Sequence, residues 1–491
     1  DSDSLNVTLY SEIIDDLNKI INEKCAHMKR IFIIACIILT IASTAFAGEC
    51  RVGLTLIPPG TITNKVDLDI RAGIVNKGNT QQDFYVSIYL NDVNQDSLIH
   101  FSRITLAPGS SREIKFSLKT TNKIGRNRII LKVKEKNEEF TISKDFEVIN
   151  SEIRSTRLID GAWAGLYHWS EIEGKYWNPD IKKMTDDQWR ELVRSMHSIG
   201  MDVIVLQEVF RNQDYVGKHD LNINNYQGKA FYPSTLYSGR MPISAKDPIG
   251  AILSEADKLG MSVMMGVGMF AWFDFTVESL EWHKQVAKEL WDMYGDHPSF
   301  YGFYVSEECA GNLYNSESTN EGQMIRKKEI VDFFREFKKY TSQFAPEKPV
   351  MLATNSMEIL KGADTYPALL QNLDILCPFG FARMPEGDLT GKEAADILQK
   401  FCDDAGAHLW FDLEAFLFNP DNSLYPRPID EIIRDLNLLD NFEKVLCYQY
   451  PGVFNNPKMS IRIGEERTID LYNAYKTYMK KIKADRYNKI K

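Results

Sequence analysis

From Gly161 to the C-terminal region the sequence repeats one pattern eight times: a short apolar run, then an amphipathic stretch of helical period. Strands that alternate with helices lie parallel, because each helix returns the chain to the edge where the next strand begins. The apolar runs fall at residues 163–167, 203–207, 263–267, 301–305, 350–353, 373–378, 409–413 and 445–450. Helical signals follow them, as at residues 186–199, where Thr185 is placed to cap the start and Gly200 the end. Eight such units predict a (β/α)8 barrel over residues 161–482. No G-x-G-x-x-G or Walker loop follows any run, which argues against an open nucleotide-binding sheet.

Residues 50–150 read differently. Strand-like runs at 66–74, 83–90, 98–106, 111–118, 128–134 and 139–148 are separated by turn residues such as Asn76 to Asn79 and Pro108-Gly109. That spacing predicts an all-β, immunoglobulin-like sandwich. Its polar groups are those of turns and solvated faces, so it is expected to act as a spacer or packing module. The polar residues 151–160 read as a linker.

Further upstream, Lys29 and Arg30, an apolar run at 31–41 and Ala45-Phe46-Ala47 form a secretory signal over residues 28–47. Cleavage after Ala47, a secreted or periplasmic location and no transmembrane segment in the mature protein are expected. Residues 1–27 precede a complete signal and read as an upstream extension foreign to the native protein. A net charge of −10 across 491 residues, with no basic stripe, argues against nucleic acid as a partner. Beyond residue 47 the five cysteines show no paired spacing, so no disulfide framework is expected.

Two of the apolar runs end in acids: FYGFYVSEE at residues 300–308, on the fourth strand, and HLWFDLEAF at 408–416, on the seventh. In a barrel of parallel strands both ends open onto one face, so carboxylates distant in sequence can meet across one pocket. Two carboxyl groups flanking a bond are what glycosidic cleavage requires. Side chains alternate along a strand, and Ser306 suits the barrel interior better than the helix layer. Parity then turns Glu308 inward and leaves Glu307 at the rim, although a bulge would reverse the two. Asp412 and Glu414 share a parity, and Glu414 lies nearer the open end.

GFYVSEE resembles the fourth-strand signature of clan A retaining glycoside hydrolases, and WFDLEAF resembles their seventh-strand end. The segments GAWAGLYHWS, MDVIVLQEVF and HPSFYGFYVSEE also resemble secreted bacterial barrel families of unknown function grouped with those hydrolases. The resemblance implies Glu308 as acid/base and Glu414 as nucleophile. Glu307 stands where those enzymes carry Asn.

Other strand ends carry groups suited to a sugar. Trp163, Tyr167, His168 and Trp169 surround the first, Gln207 and Glu208 end the second, and Trp272 follows the third. Asn355 follows the fifth, Arg383 the sixth, and Gln449 and Tyr450 finish the eighth. Aromatic faces stack on sugar rings while amides and carboxylates bind hydroxyls. No H-x-H or H-E-x-x-H occurs, so neither a metal nor another cofactor is expected. The expected function is hydrolysis of an oligosaccharide or polysaccharide by a pair of carboxylates. Two alternatives stand beside it: a glycan-binding barrel without catalysis, and a lyase with Tyr or His as base near Arg383.

Overall fold

The computed structural model describes residues 49–136, 138–211 and 221–490, with side chains as far as Arg486. The expected signal at 28–47, the extension at 1–27 and two cysteines, Cys25 and Cys36, lie outside the described residues. The eight expected parallel strands are present and close into a barrel. They run Gly161–Ala164, Val203–Leu206, Ser262–Gly266, Phe300–Cys309, Val350–Thr354, Ile375–Leu376, His408–Glu414 and Lys444–Tyr448. The first strand closes the ring by pairing in parallel with both the second and the eighth.

Several strands differ from expectation in their bounds: the sixth shrinks to Ile375–Leu376 and the fourth extends to Cys309. Two further differences, in the first and the eighth, bear on the site. The first begins and ends earlier, so Tyr167 and His168 fall in the loop beyond it rather than on the strand. The eighth ends at Tyr448, which leaves Gln449 and Tyr450 beyond it. In both places the apolar run continues past the ladder, because buried loop residues are as apolar as strand residues.

The helix after the first strand begins where its expected cap, Thr185, places it. Thr185 caps Asp186–His197 with a reciprocal bond from Gln188, and Thr390 with Glu393 does the same for Gly391–Ala405. Their inner faces and the outward strand residues Phe300, Phe303 and Val305 form one apolar layer. A second, smaller core fills the barrel itself, with Trp163, Tyr301, Tyr304, Met351 and Trp410 among its members. Among the described residues no helix is long and apolar enough to cross a membrane. Cys50, Cys309, Cys377, Cys402 and Cys447 are all buried free thiols.

The N-terminal strands form a two-sheet β-sandwich of three and five strands with its own apolar core. Two of them, Cys50–Ile57 and Gly60–Thr63, were not among the expected runs. The first of these ends in Ile57, a fully buried side chain that belongs to the core inside the barrel. The Leu56 carbonyl accepts a 2.8 Å hydrogen bond from the Tyr301 hydroxyl at the base of the fourth strand. The sandwich therefore stoppers the N-terminal end of the barrel.

Charges secure this junction. Arg71 of the sandwich bonds Asp374, which leads into the sixth strand, at 2.6 Å. Glu347 lies flat on the sandwich between Gly53 and Gly73, which face each other across their ladder, and pairs with Arg51. A Cβ at either glycine would come within 2.2 Å of the Glu347 carboxylate, so close approach requires glycine at both positions. Burial disfavours the Glu347 charge, yet Arg51 and Lys348 hold it down at about 2. Burial also disfavours charged His408, but Glu443 at 2.6 Å and Asp69 of the sandwich at 3.4 Å raise it from 6.5 to about 9.

These shifts set a pH window for docking. The His408 contribution is complete below its ordinary 6.5 and is lost as pH rises through about 9. The Glu347 contribution is complete above its ordinary 4.5 and is lost as pH falls through about 2. Urea unfolding followed by tryptophan fluorescence should thus show alkaline destabilisation that His408→Gln removes. Ile57→Ala should cost about 2–5 kcal/mol in the same assay, as for any large aliphatic side chain lost from a core. A cost near zero would mean that the stopper adds nothing to barrel stability.

Candidate active site

The fourth strand carries ten residues, and its pairing is irregular beside both neighbours. Val305 and Cys309 belong to the outer layer and Tyr304 to the barrel core, although the ladder to the fifth strand shifts register between Val305 and Cys309. Glu308 accordingly turns into the barrel mouth. Glu307, weighed beside it as a catalytic acid, turns away. Its Oε1 accepts hydrogen bonds from the backbone N–H of Phe270 at 2.6 Å and of Ala271 at 3.3 Å, in the loop after the third strand. Burial, with Asp274 adjacent, pushes its carboxyl up to about 8. Glu307 is thus an anchor for the loop that carries Trp272, not a wall of the cleft.

Glu308 meets Glu414 and Asp412 of the seventh strand around a cavity of about 150 Å³. Trp169, Trp272, Phe379, Phe416, Phe418 and Tyr448 supply aromatic walls, and Glu173 and Arg383 complete the polar lining. The Trp169 and Trp272 rings lie 5.3 Å apart. Arg383 clasps Glu414 through Nε, at 2.8 and 2.9 Å from the two carboxylate oxygens, and through a terminal nitrogen. A planar fork of this kind fixes the carboxylate's orientation. Glu308 also lines an adjoining cavity of about 510 Å³, with Asn312, Asn315, Asn355 and Glu358 on its walls. The two cavities share Trp272, Glu308 and Phe379, so Glu308 stands at the junction of one cleft with two lobes.

Electrostatics divide the carboxyls. Burial raises Glu308 to about 7; Trp272 and Arg383 oppose that rise, while Glu173 and Glu414 add to it. Burial likewise lifts Glu173 to about 7 against the pull of Arg383. Asp412, 5% exposed, is pushed well above the usual carboxylate range by burial and by Glu414 and Glu308. Its Oδ1 has no hydrogen-bond partner. A carboxyl poised to hold a proton thus shares the cavity with one that Arg383 orients through paired hydrogen bonds.

Of the residues proposed to bind substrate, Trp272, Asn355, Arg383 and Asp412 line the cleft. Several others do not. Trp163 is fully buried in the barrel core. Tyr167 donates its hydroxyl to Glu171 at 2.6 Å, and Tyr450 bonds Ser195 within the helix layer. Glu208 is consumed by a buried ion pair with Arg211, whose guanidinium also donates to the carbonyls of Tyr167 and His168. A buried pair of this sort holds the first two loops together. Gln207 and Gln449 are buried where Gly165 approaches both side chains.

His168 is buried behind the cavity. Burial, and then Arg211, depress it to about 3, so its ring is neutral. Nδ1 accepts from the Ser170 backbone N–H at 3.2 Å, which places the proton on Nε2, 3.6 Å from Glu173. His168 is fully buried and does not line the cavity, and its Nε2 has no hydrogen-bond partner among the described residues.

Glu173, Phe379, Phe416, Phe418 and Tyr448 had not been proposed as site residues. Glu173 lies in a nonrepeating loop, and its one sequence signal is an acid set among Trp169, Tyr176 and Trp177. Tyr448 escaped because the eighth strand ends two residues earlier than its apolar run.

Comparison with solved structures finds likeness to a candidate alpha-L-fucosidase from Bacteroides thetaiotaomicron, 16% identical, over 67% of this chain and 96% of that one, with a TM-score of 0.47. A beta-glucuronidase from Bacteroides uniformis is 12% identical over 88% of this chain, with a TM-score of 0.41, and the chain spans half of that protein's length. A beta-galacturonidase from Eisenbergiella tayi is 11% identical over 88% of this chain and 72% of its own, with a TM-score of 0.38. Scores and identities this low bear on neither chemistry nor substrate. No match is found among curated proteins. A family model does match residues 159–460, which span the barrel strands and the whole cleft. The chain belongs to the family described as a domain of unknown function, DUF4434.

Proposed function

We propose that the protein hydrolyses glycosidic bonds, with Glu308 as general acid/base and Glu414 as nucleophile in a retaining reaction. One observation carries this reading: carboxyls from the fourth and seventh strands line a single aromatic-walled cavity, one of them lifted to about 7 and the other clasped by Arg383. At neutral pH a carboxyl near 7 holds a proton part of the time and can donate it to a leaving oxygen. Glu414, oriented by Arg383, approaches the anomeric carbon from the other side. Trp169 and Trp272 offer faces for a sugar ring. Substrate class, linkage and the export expected from residues 28–47 belong to the same proposal.

A glycan-binding barrel without catalysis is the second reading, and the Arg383–Glu414 clasp favours it, since a guanidinium held at short range dulls a nucleophile. The lyase alternative loses support. Burial raises the Tyr448 hydroxyl well above its usual range, and Nε2 of His168 already carries its proton, so neither is a ready base.

Screening the full chain against a glycan panel, with product anomers followed by NMR, tests hydrolysis directly. Glu308→Gln and Glu414→Gln should each lower kcat/KM by about 10²–10⁴-fold while leaving the unfolding midpoint within a degree or two of wild type. Binding that persists without turnover by the wild type would establish the second reading instead.

The acid form of Glu308 is the active one, so kcat/KM should fall as pH rises through about 7. Glu173 is one of the charges that raise Glu308, so Glu173→Gln should move that alkaline limb to lower pH. A limb that stays in place would mean that Glu308 is not the titrating acid.

A further inference from the structure

The charge balance of the smaller lobe differs from that of a site built for a neutral sugar. Four carboxyl groups line it, those of Glu173, Glu308, Asp412 and Glu414. Among the described residues Arg383 is the single basic side chain on its wall, and Glu414 already holds two of its three guanidinium nitrogens. Beyond the acids themselves there is a second sign of a missing partner. Asp412 is almost wholly buried, lines this lobe, and keeps Oδ1 without any hydrogen-bond partner. A buried acceptor left open destabilises the fold, and a donor on a ligand would relieve it.

The larger lobe shows no such demand. Its acid, Glu358, bonds both Asn312 and Lys361. Asn312 and Asn315 in turn accept backbone N–H bonds from their own loop. The unmet negative charge is therefore confined to the lobe beyond Glu308.

We propose that this smaller lobe receives a sugar residue carrying a free, protonated amine, a hexosamine unit rather than a neutral, N-acetylated or uronic acid unit. The inference rests on the glycosidase reading for its substrate class. The lobe is the smaller of the two, about 150 Å³ against about 510 Å³. An ammonium there donates to Asp412 and faces the rings of Trp169 and Tyr448, which attract cations. A uronate would have to draw Arg383 from Glu414 and sit among three further carboxyls. Burial raises the proton affinities of Glu173, Glu308 and Asp412, and neighbouring carboxyls add to the rise at Glu308 and Asp412. Entry of a cation reverses that, so amine binding at pH 7 must drive protons from these carboxyls into the buffer.

The test is calorimetric titration of the full chain at pH 7 with D-glucosamine, D-galactosamine, D-glucose, N-acetylglucosamine and D-glucuronate. Each is run in two buffers of different ionisation enthalpy. One of the two amines should bind about tenfold or more tightly than glucose and release protons, whereas glucose should release none. Asp412→Asn should remove most of the amine's advantage without weakening glucose, and Glu173→Gln should reduce it independently should the first variant fold poorly. Equal affinities, a preference for glucuronate or N-acetylglucosamine, or no amine binding would each overturn the proposal. Hydrolysis is scored separately on the same panel extended to oligomers. Turnover of neutral glycans without amine preference sinks this inference and leaves the glycosidase reading standing; amine binding without any turnover does the reverse.

Discussion

Closure of the parallel ladder is the constraint on which the rest depends. The first strand is only four residues long, yet it bonds the second strand along its length and the eighth through Gly161 and Ala162. At this seam a Cβ on Gly161 would lie 2.2 Å from the Val203 carbonyl oxygen, so the backbones meet only because no side chain intervenes. Once the ring closes, all eight strands end on one face. Glu308 and Glu414, separated by 106 positions in the sequence, then line one cavity without any loop having to carry them there.

The two ends of the barrel treat charge in opposite ways. At the base, Arg71 reaches Asp69, Glu113 and Asp374, and Lys338 also pairs with Asp374. Positive and negative groups there answer one another, as buried charges must if they are not to destabilise the fold. At the mouth, among the described residues, four carboxyls and one arginine line the smaller lobe. That imbalance costs stability and shifts proton affinities, which is how sites for chemistry or ligands differ from structural networks. The Glu208–Arg211 pair shows the distinction at close range. It lies at a strand end, as a functional acid would, but its charge is met by Arg211 within the protein.

The sandwich is more than a spacer placed ahead of the barrel. Ile57 fills the barrel's own core, and Tyr301, His408 and Lys444 all reach back to sandwich atoms. Stability of the base and geometry of the mouth are connected through the strands that run between them. The fourth strand shows this directly, with Tyr301 bonded to the sandwich at one end and Glu308 in the cleft at the other.

The sequence by itself determined the barrel, most strands of the sandwich, the Thr185 cap and the inward turn of Glu308. Each follows from a local period or a local bond: alternation along a strand, an apolar stripe on a helix, a hydroxyl aimed at a backbone N–H. It did not determine which strand-end residues face the cleft. Trp163 and Tyr450 have the composition of sugar-binding residues but sit where the interior needs volume, and Glu208 looks like a catalytic acid until Arg211 is placed beside it. Nor does any period mark Glu173, or reveal that Cys50–Ile57 ends inside another domain's core. Those outcomes depend on contacts between residues far apart in the chain, and only the closed tertiary structure brings such residues together.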